Sequence, residues 1–311
     1  MRYYFVSFLA NVDKSVLGVE IGGDLEIKSM ENREFINFIQ TLEKLPFSAL
    51  FHRPLFSRCL NQKEMRAYYV TREIEYDAHV DNKEKELFEA AGRFQRKYEA
   101  ILDRAFDLML LFKEGAVFTT DRYYIREENG SLSRSSLSSS KFVPYRPTYT
   151  LTADETESLN LFISTVDYPF KYPFLQLAFD NFVESYRADN LKLSFLSLMI
   201  SLEALLSRDN IELAYSLRRN AAVLLGNSKS DSITVQKKVK SLYDLRSSLV
   251  HGDSKKGKKK SDIAEADVLE LRAIVREAIK EILAMKMDKD ALMDHLTEIG
   301  YGDRISRKYS T

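Results

Sequence analysis

This chain of 311 residues has one cysteine and no tryptophan. Its net charge is zero, because acidic and basic side chains are equal in number. The single thiol, Cys59, excludes an internal disulfide and is typical of a reducing compartment. The sequence lacks the closely spaced Cys and His residues of a zinc site, so we expect no metal and no cofactor. No run reaches the roughly 18 apolar residues of a membrane helix, so we expect a cytoplasmic protein without a membrane partner.

The balance of charge argues against a protein that is basic over its whole surface, but the charge is unevenly distributed along the chain. Residues 229–260 contain ten basic and three acidic side chains. A local excess of positive charge favours a polyanionic partner.

The first half mixes helical and strand patterns and predicts an α+β domain over residues 1–130. Strands are expected over 1–10, 66–76 and 116–126, and helices over 33–44 and 83–113. Gly22 and Gly23 predict a two-residue hairpin between 19–21 and 24–27. Seven of the ten residues from 131 to 140 are serine, which predicts a flexible loop or linker over 131–150.

The second half is helical and predicts an all-α bundle over 151–287, followed by a C-terminal tail over 288–311 that contains a small appended helix. Helices are expected over 154–166, 174–188, 191–207, 211–225, 233–251 and 262–286. Short connections between these helices favour an up-and-down arrangement.

The segment from Arg246 to His251 carries the side chains best suited to chemistry. An apolar stripe at helical spacing precedes and includes it, formed by Val235, Val239, Leu242 and Leu249. Arg246 falls on this stripe, where a guanidinium is expensive to bury unless an anion meets it, because it cannot lose its proton. His251 can give and take protons near neutral pH. A permanent cation and a proton carrier on one helix suit phosphodiester cleavage without a metal.

Three ordered segments resemble the Apea-like branch of the HEPN superfamily: ISLEALL at 200–206, LRRNAAVLLG at 217–226 and LYDLRSSLVHG at 242–252. HEPN domains are helical bundles, and many are metal-independent ribonucleases with an arginine and a histidine a few residues apart. The resemblance covers about residues 174–286. It implies a HEPN-like bundle, Arg246 and His251 as the catalytic pair, a homodimer with a composite cleft, and a role in phage defence or as a toxin.

The expected reaction uses the 2′-hydroxyl of RNA as the nucleophile. His251 would remove its proton or protonate the leaving 5′-oxygen, and Arg246 would stabilise the charge of the pentavalent transition state. The expected products carry a 2′,3′-cyclic phosphate and a 5′-hydroxyl. On a straight helix, side chains five residues apart point about 140° apart, so the pair must bend together or cooperate across a dimer.

Four residues are expected to support the site: Glu203, Arg218, Asp244 and Ser247. Glu203 lies on the apolar side of its helix and needs a partner if it is buried, and Arg246 is an alternative structural partner for it. Arg218 and its neighbour Arg219 are candidates for phosphate contact or for that same pairing. Asp244, Ser247 and His251 share a helix face, so Asp244 either orients the imidazole or is simply solvated. Family members often have Asn, Asp or His where this chain has Ser247.

The basic run directly after the motif is expected to bind RNA, with a solvated loop as the alternative; it consists of Lys255, Lys256, Lys258, Lys259 and Lys260. His251 has its own alternative role as a cation at a helix C-terminus. The competing function is a non-catalytic HEPN module for RNA binding or dimerisation. For the endonuclease, the resemblance implies an N-terminal domain that senses a trigger or restrains activity.

Overall fold

The computed structural model describes residues 2–44, 59–75, 83–128, 131–139, 147–208, 212–251 and 262–303. The chain divides into two compact units, Met1–Val166 and Asp167–Thr311. The first contains an antiparallel sheet and helices, and the second is helical. The predicted succession of an α+β part and a helical part is therefore confirmed.

The first unit contains six strands and three α-helices in its described part. The strands are β1 (Arg2–Ala10), β2 (Glu26–Glu31), β3 (Leu60–Asn61), β4 (Arg66–Glu75), β5 (Phe118–Glu128) and β6 (Ser131–Ser139). The helices are α1 (Asn32–Glu43), α2 (Lys83–Phe112) and α3 (Ala153–Thr165), with a short 3-10 helix at Lys14–Gly18.

The sheet has the order β2-β4-β1-β5-β6, and β3 also pairs with β4. Every pairing is antiparallel. Helices cover both faces of the central strand β1: Phe5 contacts Tyr98 of α2 at 5.7 Å between ring centroids, and Phe8 contacts Phe35 of α1 at 4.5 Å. Two covered faces explain why β1 reads as a nearly continuous apolar run.

Two sequence predictions in the first unit are wrong. Gly22 and Gly23 have positive φ, as a tight turn requires, but 19–21 forms no strand, and β2 pairs with β4 instead, Ile27 opposite Val70. Residues 131–139, predicted as part of a flexible linker, form β6 against β5. A strand at the sheet edge is held by backbone hydrogen bonds to one neighbour, and a serine-rich composition does not prevent these.

The helix α3 belongs to the first unit, although the sequence assigns it to the bundle over 151–287. Arg104 of α2 donates from Nη2 to the carbonyl oxygens of Ile163 (2.8 Å) and Val166 (2.9 Å), at the negative end of the α3 dipole. Lys113 and Glu155 form an ion pair at 2.6 Å. The boundary of the helical unit therefore lies after Val166, and residues 131–139 of the predicted linker form a strand within the first unit.

The second unit contains α4 (Pro173–Arg187), α5 (Leu191–Leu206), α6 (Leu213–Leu225), α7 (Lys229–His251), α8 (Glu265–Met285) and α9 (Lys289–Glu298). Side chains begin two of these helices: Asn190 accepts from the backbone N–H of Leu193 at 3.0 Å, and Asp288 accepts from that of Ala291 at 2.9 Å. Leu198, Leu202 and Leu205 of α5 are completely buried, so this face of α5 forms part of the core.

Two arginines of α8 are buried in this core, with 1% exposure at Arg272 and 5% at Arg276. Arg272 donates to Ser194 Oγ at 3.0 Å and stacks on the Tyr186 ring at 4.2 Å from its centroid. Arg276 donates to the Tyr186 hydroxyl at 2.6 Å. Hydroxyl groups and an aromatic face thus stabilise the guanidinium groups inside the unit.

The helix α9 packs into the second unit, although the sequence assigns it to a tail over 288–311. Its Leu292, Met293 and Leu296 are buried. Arg219 of α6 donates to the carbonyl oxygens of Leu296 (2.7 Å) and Ile299 (3.1 Å). The predicted small helix is therefore confirmed at 289–298, but it packs into the helical unit and is not merely appended to it. Residues 304–311 lie outside the described part of the chain.

Within the described ranges, none of the helices combines the length and the apolar character that crossing a bilayer demands.

Candidate functional site

The helix α7 carries both residues of the predicted catalytic pair. Val239 and Leu242 are buried, and they hold one face of α7 in the core. Arg246 continues that face one turn beyond Leu242 and is partly buried. His251 is the last residue of α7, and its side chain lies outside the described part of the structure.

Arg246 forms an ion pair with Glu203 of α5, the structural partner that the sequence raised as an alternative. The distance from Arg246 Nε to Glu203 Oε1 is 3.4 Å, and the side chains are 26% and 19% exposed. Oε1 is buried and accepts no aligned hydrogen bond, so the attraction is mainly electrostatic. In the described part of the chain, no hydrogen bond holds the two terminal Nη groups of Arg246, so an anion can bind to that end.

Burial raises the pKa of the Glu203 carboxyl above its ordinary value, and the nearby Arg246 charge opposes this shift only in part. Loss of hydration therefore outweighs the attraction between the two groups. Burying the ionised Glu203 carboxylate therefore destabilises the folded state, and the charge of the neighbouring guanidinium reduces this destabilisation.

Arg218 of α6 lies in an open cleft of about 730 Å³ lined by Glu212, Leu213, Ala214, Tyr215, Arg218 and Tyr243. Its Nε is buried and has no hydrogen-bond partner among the described residues. Its Cζ lies 5.4 Å from the centroid of the Tyr215 ring, and Tyr215 is 48% exposed. A cation and an accessible aromatic face therefore occupy one cleft.

Tyr243 connects this cleft with Arg246. The Tyr243 ring lines the cleft, and its centroid lies 5.8 Å from Arg246 Cζ. The sequence analysis missed both tyrosines. The signal that was available is a repeated spacing: each tyrosine precedes its arginine by three residues, as in Tyr215 and Arg218, which makes the two side chains neighbours on a helix.

Arg219 does not belong to the site, because its donors bind carbonyl groups at the end of α9. Sequence reasoning considered Arg218 and Arg219 together for phosphate contact or for pairing with Glu203. In the structure Arg246 pairs with Glu203, Arg219 stabilises a helix end, and Arg218 faces the cleft. Adjacent residues on a helix point about 100° apart, which explains why the two arginines differ.

Asp244, Ser247 and five lysines are the remaining residues that the sequence analysis predicted for the site. Asp244 is exposed, and its backbone carbonyl accepts from Ser248 Oγ at 3.0 Å. Ser247 is half-buried. The predicted RNA-binding lysines, Lys255, Lys256, Lys258, Lys259 and Lys260, lie outside the described residues. Within the basic region, Lys238 is engaged with Glu270 at 2.8 Å.

Metal ligands do not converge in the described ranges, where no three His, Cys, Asp or Glu side chains form a group able to hold an ion. No protein-family model, curated protein or solved structure matches this chain. The side chains that give the site its chemical character are Arg246, Glu203 and Arg218, with His251 at the end of the same helix as Arg246.

Proposed function

We propose that the second unit is a HEPN-like bundle and that the protein is a metal-independent RNA endonuclease. The observation that carries this proposal is the state of Arg246: Glu203 holds its Nε side, while no described residue is hydrogen-bonded to its Nη groups. A guanidinium drawn toward Glu203 on its Nε side presents its two Nη donors to a phosphate. His251 follows on the same helix and supplies the group that moves protons.

In the proposed reaction, a base removes the proton from the 2′-hydroxyl, and that oxygen attacks the adjacent phosphorus. The bond from phosphorus to the 5′-oxygen breaks, and the departing oxygen takes up a proton. His251 serves one of these two transfers and Arg246 stabilises the pentavalent transition state. The products carry a 2′,3′-cyclic phosphate and a 5′-hydroxyl. In a homodimer, the second copy of His251 would serve the other transfer.

The test is incubation of the purified full chain with RNA in EDTA, followed by analysis of the product ends. Wild type should form cyclic-phosphate ends, and His251→Ala should form none while its circular dichroism spectrum and oligomeric state are unchanged. Arg246→Lys keeps a positive charge beside Glu203 but loses the planar fork, so it should fold and cleave far more slowly. Undiminished cleavage by both variants would refute the assignment of these residues.

A second function is favoured by the same ion pair. If the main role of Arg246 is to neutralise Glu203, the bundle serves as a non-catalytic RNA-binding or dimerisation module. Salt-sensitive RNA binding without any product in the EDTA assay would support this alternative. Light scattering of the purified chain would establish whether it is a dimer.

The proposed setting is defence against phage or a toxin system, with the first unit sensing a trigger or restraining cleavage. The support for this setting is the sequence resemblance. Expression of the full chain and of His251→Ala in growing cells tests it, because only the wild type should then arrest growth or block phage.

A further inference from the structure

Arg218 combines a buried donor with an open cleft. Its Nε–H has lost contact with solvent, yet none of the described residues accepts a hydrogen bond from it. The buried Nε–H cannot itself be reached from the cleft, but the two Nη groups of Arg218 keep access to the cleft and donate to none of the described residues, so an acceptor in the cleft can bind them. Because a guanidinium is always charged, the fitting acceptor is an anion.

The start of α6 adds to the attraction for an anion. Glu212, the residue that precedes the helix, has a left-handed backbone (φ 49°), and its side chain caps no backbone N–H. The first turn of α6, with Leu213 and Ala214, lines the same cleft as Arg218. N–H groups that the Glu212 side chain leaves uncapped, together with the positive end of the helix dipole, favour negative charge there. The Glu212 carboxylate also lines the cleft and opposes an anion, but this residue is exposed, so water weakens its effect.

Two tyrosines line the cleft together with Arg218. Tyr215 presents a largely exposed ring on one side, and Tyr243 extends the lining toward Arg246. Exposed aromatic faces beside cations are how proteins hold unpaired bases of single-stranded nucleic acids. A ligand that uses Tyr215, Arg218 and the neighbourhood of Arg246 must carry flat rings and more than one negative group.

We propose that the cleft of Tyr215, Arg218 and Tyr243 binds single-stranded RNA next to the scissile phosphate, with a phosphate on Arg218 and a base on Tyr215. The identity of the ligand as RNA rests on the proposed function. Arg218 and Tyr215 are positioning residues in this arrangement: they hold the strand while Arg246 and His251 act on the adjacent linkage.

The experiment measures binding of a short fluorescent 2′-O-methyl RNA to the full chain by anisotropy at several salt concentrations. This probe lacks the nucleophilic hydroxyl, so binding is measured without cleavage. Arg218→Ala should weaken binding about tenfold and make the dependence of log K on log salt shallower by about 0.7. Lys280→Ala is the matched control, because Lys280 is a surface cation of α8 paired with Glu277 at 2.8 Å, and its loss should change neither quantity.

Tyr215 provides a second arm that does not alter charge. Tyr215→Ala should weaken binding about tenfold with an unchanged salt dependence, and Tyr215→Phe should bind nearly as wild type, because the stacking face is retained. Equal losses in Arg218→Ala and Lys280→Ala, or full affinity in both Arg218→Ala and Tyr215→Ala, would overturn the inference. If Arg218→Ala does not fold, comparison of the RNA affinities of Tyr215→Ala and Tyr215→Phe still tests whether the cleft binds RNA.

This result is separable from the result of the cleavage assay. Loss of binding in these variants, together with undiminished cleavage by His251→Ala, would refute the proposed catalytic pair and keep the RNA-binding cleft. Unchanged binding, together with no cleavage by His251→Ala, would keep the pair and refute the cleft.

Discussion

Removing Arg246 and removing the Glu203 charge should have unequal effects on the stability of the protein. At 3.4 Å and an effective dielectric constant of about 20, the attraction is about 5 kcal/mol before the cost of desolvation. The raised pKa of Glu203 shows that this cost exceeds the attraction felt by the carboxylate. Removal of the arginine therefore leaves an uncompensated buried charge, whereas removal of the carboxylate relieves one.

We expect Arg246→Ala to lower the free energy of unfolding by about 2 kcal/mol, less than the roughly 3–5 kcal/mol of a fully buried pair because both groups keep some exposure. Glu203→Gln should change stability by less than about 0.5 kcal/mol or raise it, because the amide is uncharged. The double variant should resemble Glu203→Gln, which gives a coupling of about 2 kcal/mol between the two sites.

The assay is urea unfolding of wild type, both single variants and the double variant at neutral pH, followed by circular dichroism. Lys238→Ala is the control, since it removes a more exposed ion pair of the same helix and should cost less than about 1 kcal/mol. Additive losses in the double variant, or equal losses in the two single variants, would show that Arg246 does not neutralise a costly Glu203.

Three further predictions follow from individual contacts. The folded state holds the Glu203 proton more tightly than the unfolded state, because the pKa of Glu203 is raised on folding. The free energy of unfolding should therefore fall as pH rises from about 4.5, the ordinary glutamate pKa, through the raised folded value. Urea midpoints measured across pH should show this loss in wild type and not in Glu203→Gln. Burial lowers the pKa of Lys289 to about 8, so wild type should gain stability relative to Lys289→Met as pH rises from about 8 toward 10.5, and a flat difference would refute this. Arg219→Ala removes donors from three carbonyl groups at the end of α9 and should cost about 2 kcal/mol, with faster hydrogen exchange confined to 289–299; exchange unchanged there would contradict it.

The helices of the second unit were predictable because their signals are local. Apolar residues recur with helical spacing, Asn190 and Asp288 accept hydrogen bonds at helix starts, and a proline lies in the first turn of α4. None of these signals requires knowledge of distant partners. The same reasoning applied to β1, whose long apolar run identifies a buried strand.

The partners of those elements were not predictable in the same way. The pairing of β2 with β4, the edge position of β6 and the packing of α3 in the first unit depend on residues far apart in the chain. The small helix α9 was predicted but its packing into the helical unit was not, because α9 is held by Arg219, 77 to 80 residues earlier in the chain. Serine content describes side chains, whereas a strand edge is joined through the backbone.

The candidate site shows the same division. The sequence by itself determined that α7 carries a cation and a histidine, that Glu203 lies on an apolar face and that the bases concentrate around the motif. Only the tertiary structure decided that Glu203 pairs with Arg246, that Arg219 serves a helix end, and that Arg218 faces a cleft with two tyrosines. Helical spacing sets the direction in which each side chain points, but the packing of α5, α6 and α7 sets what it meets.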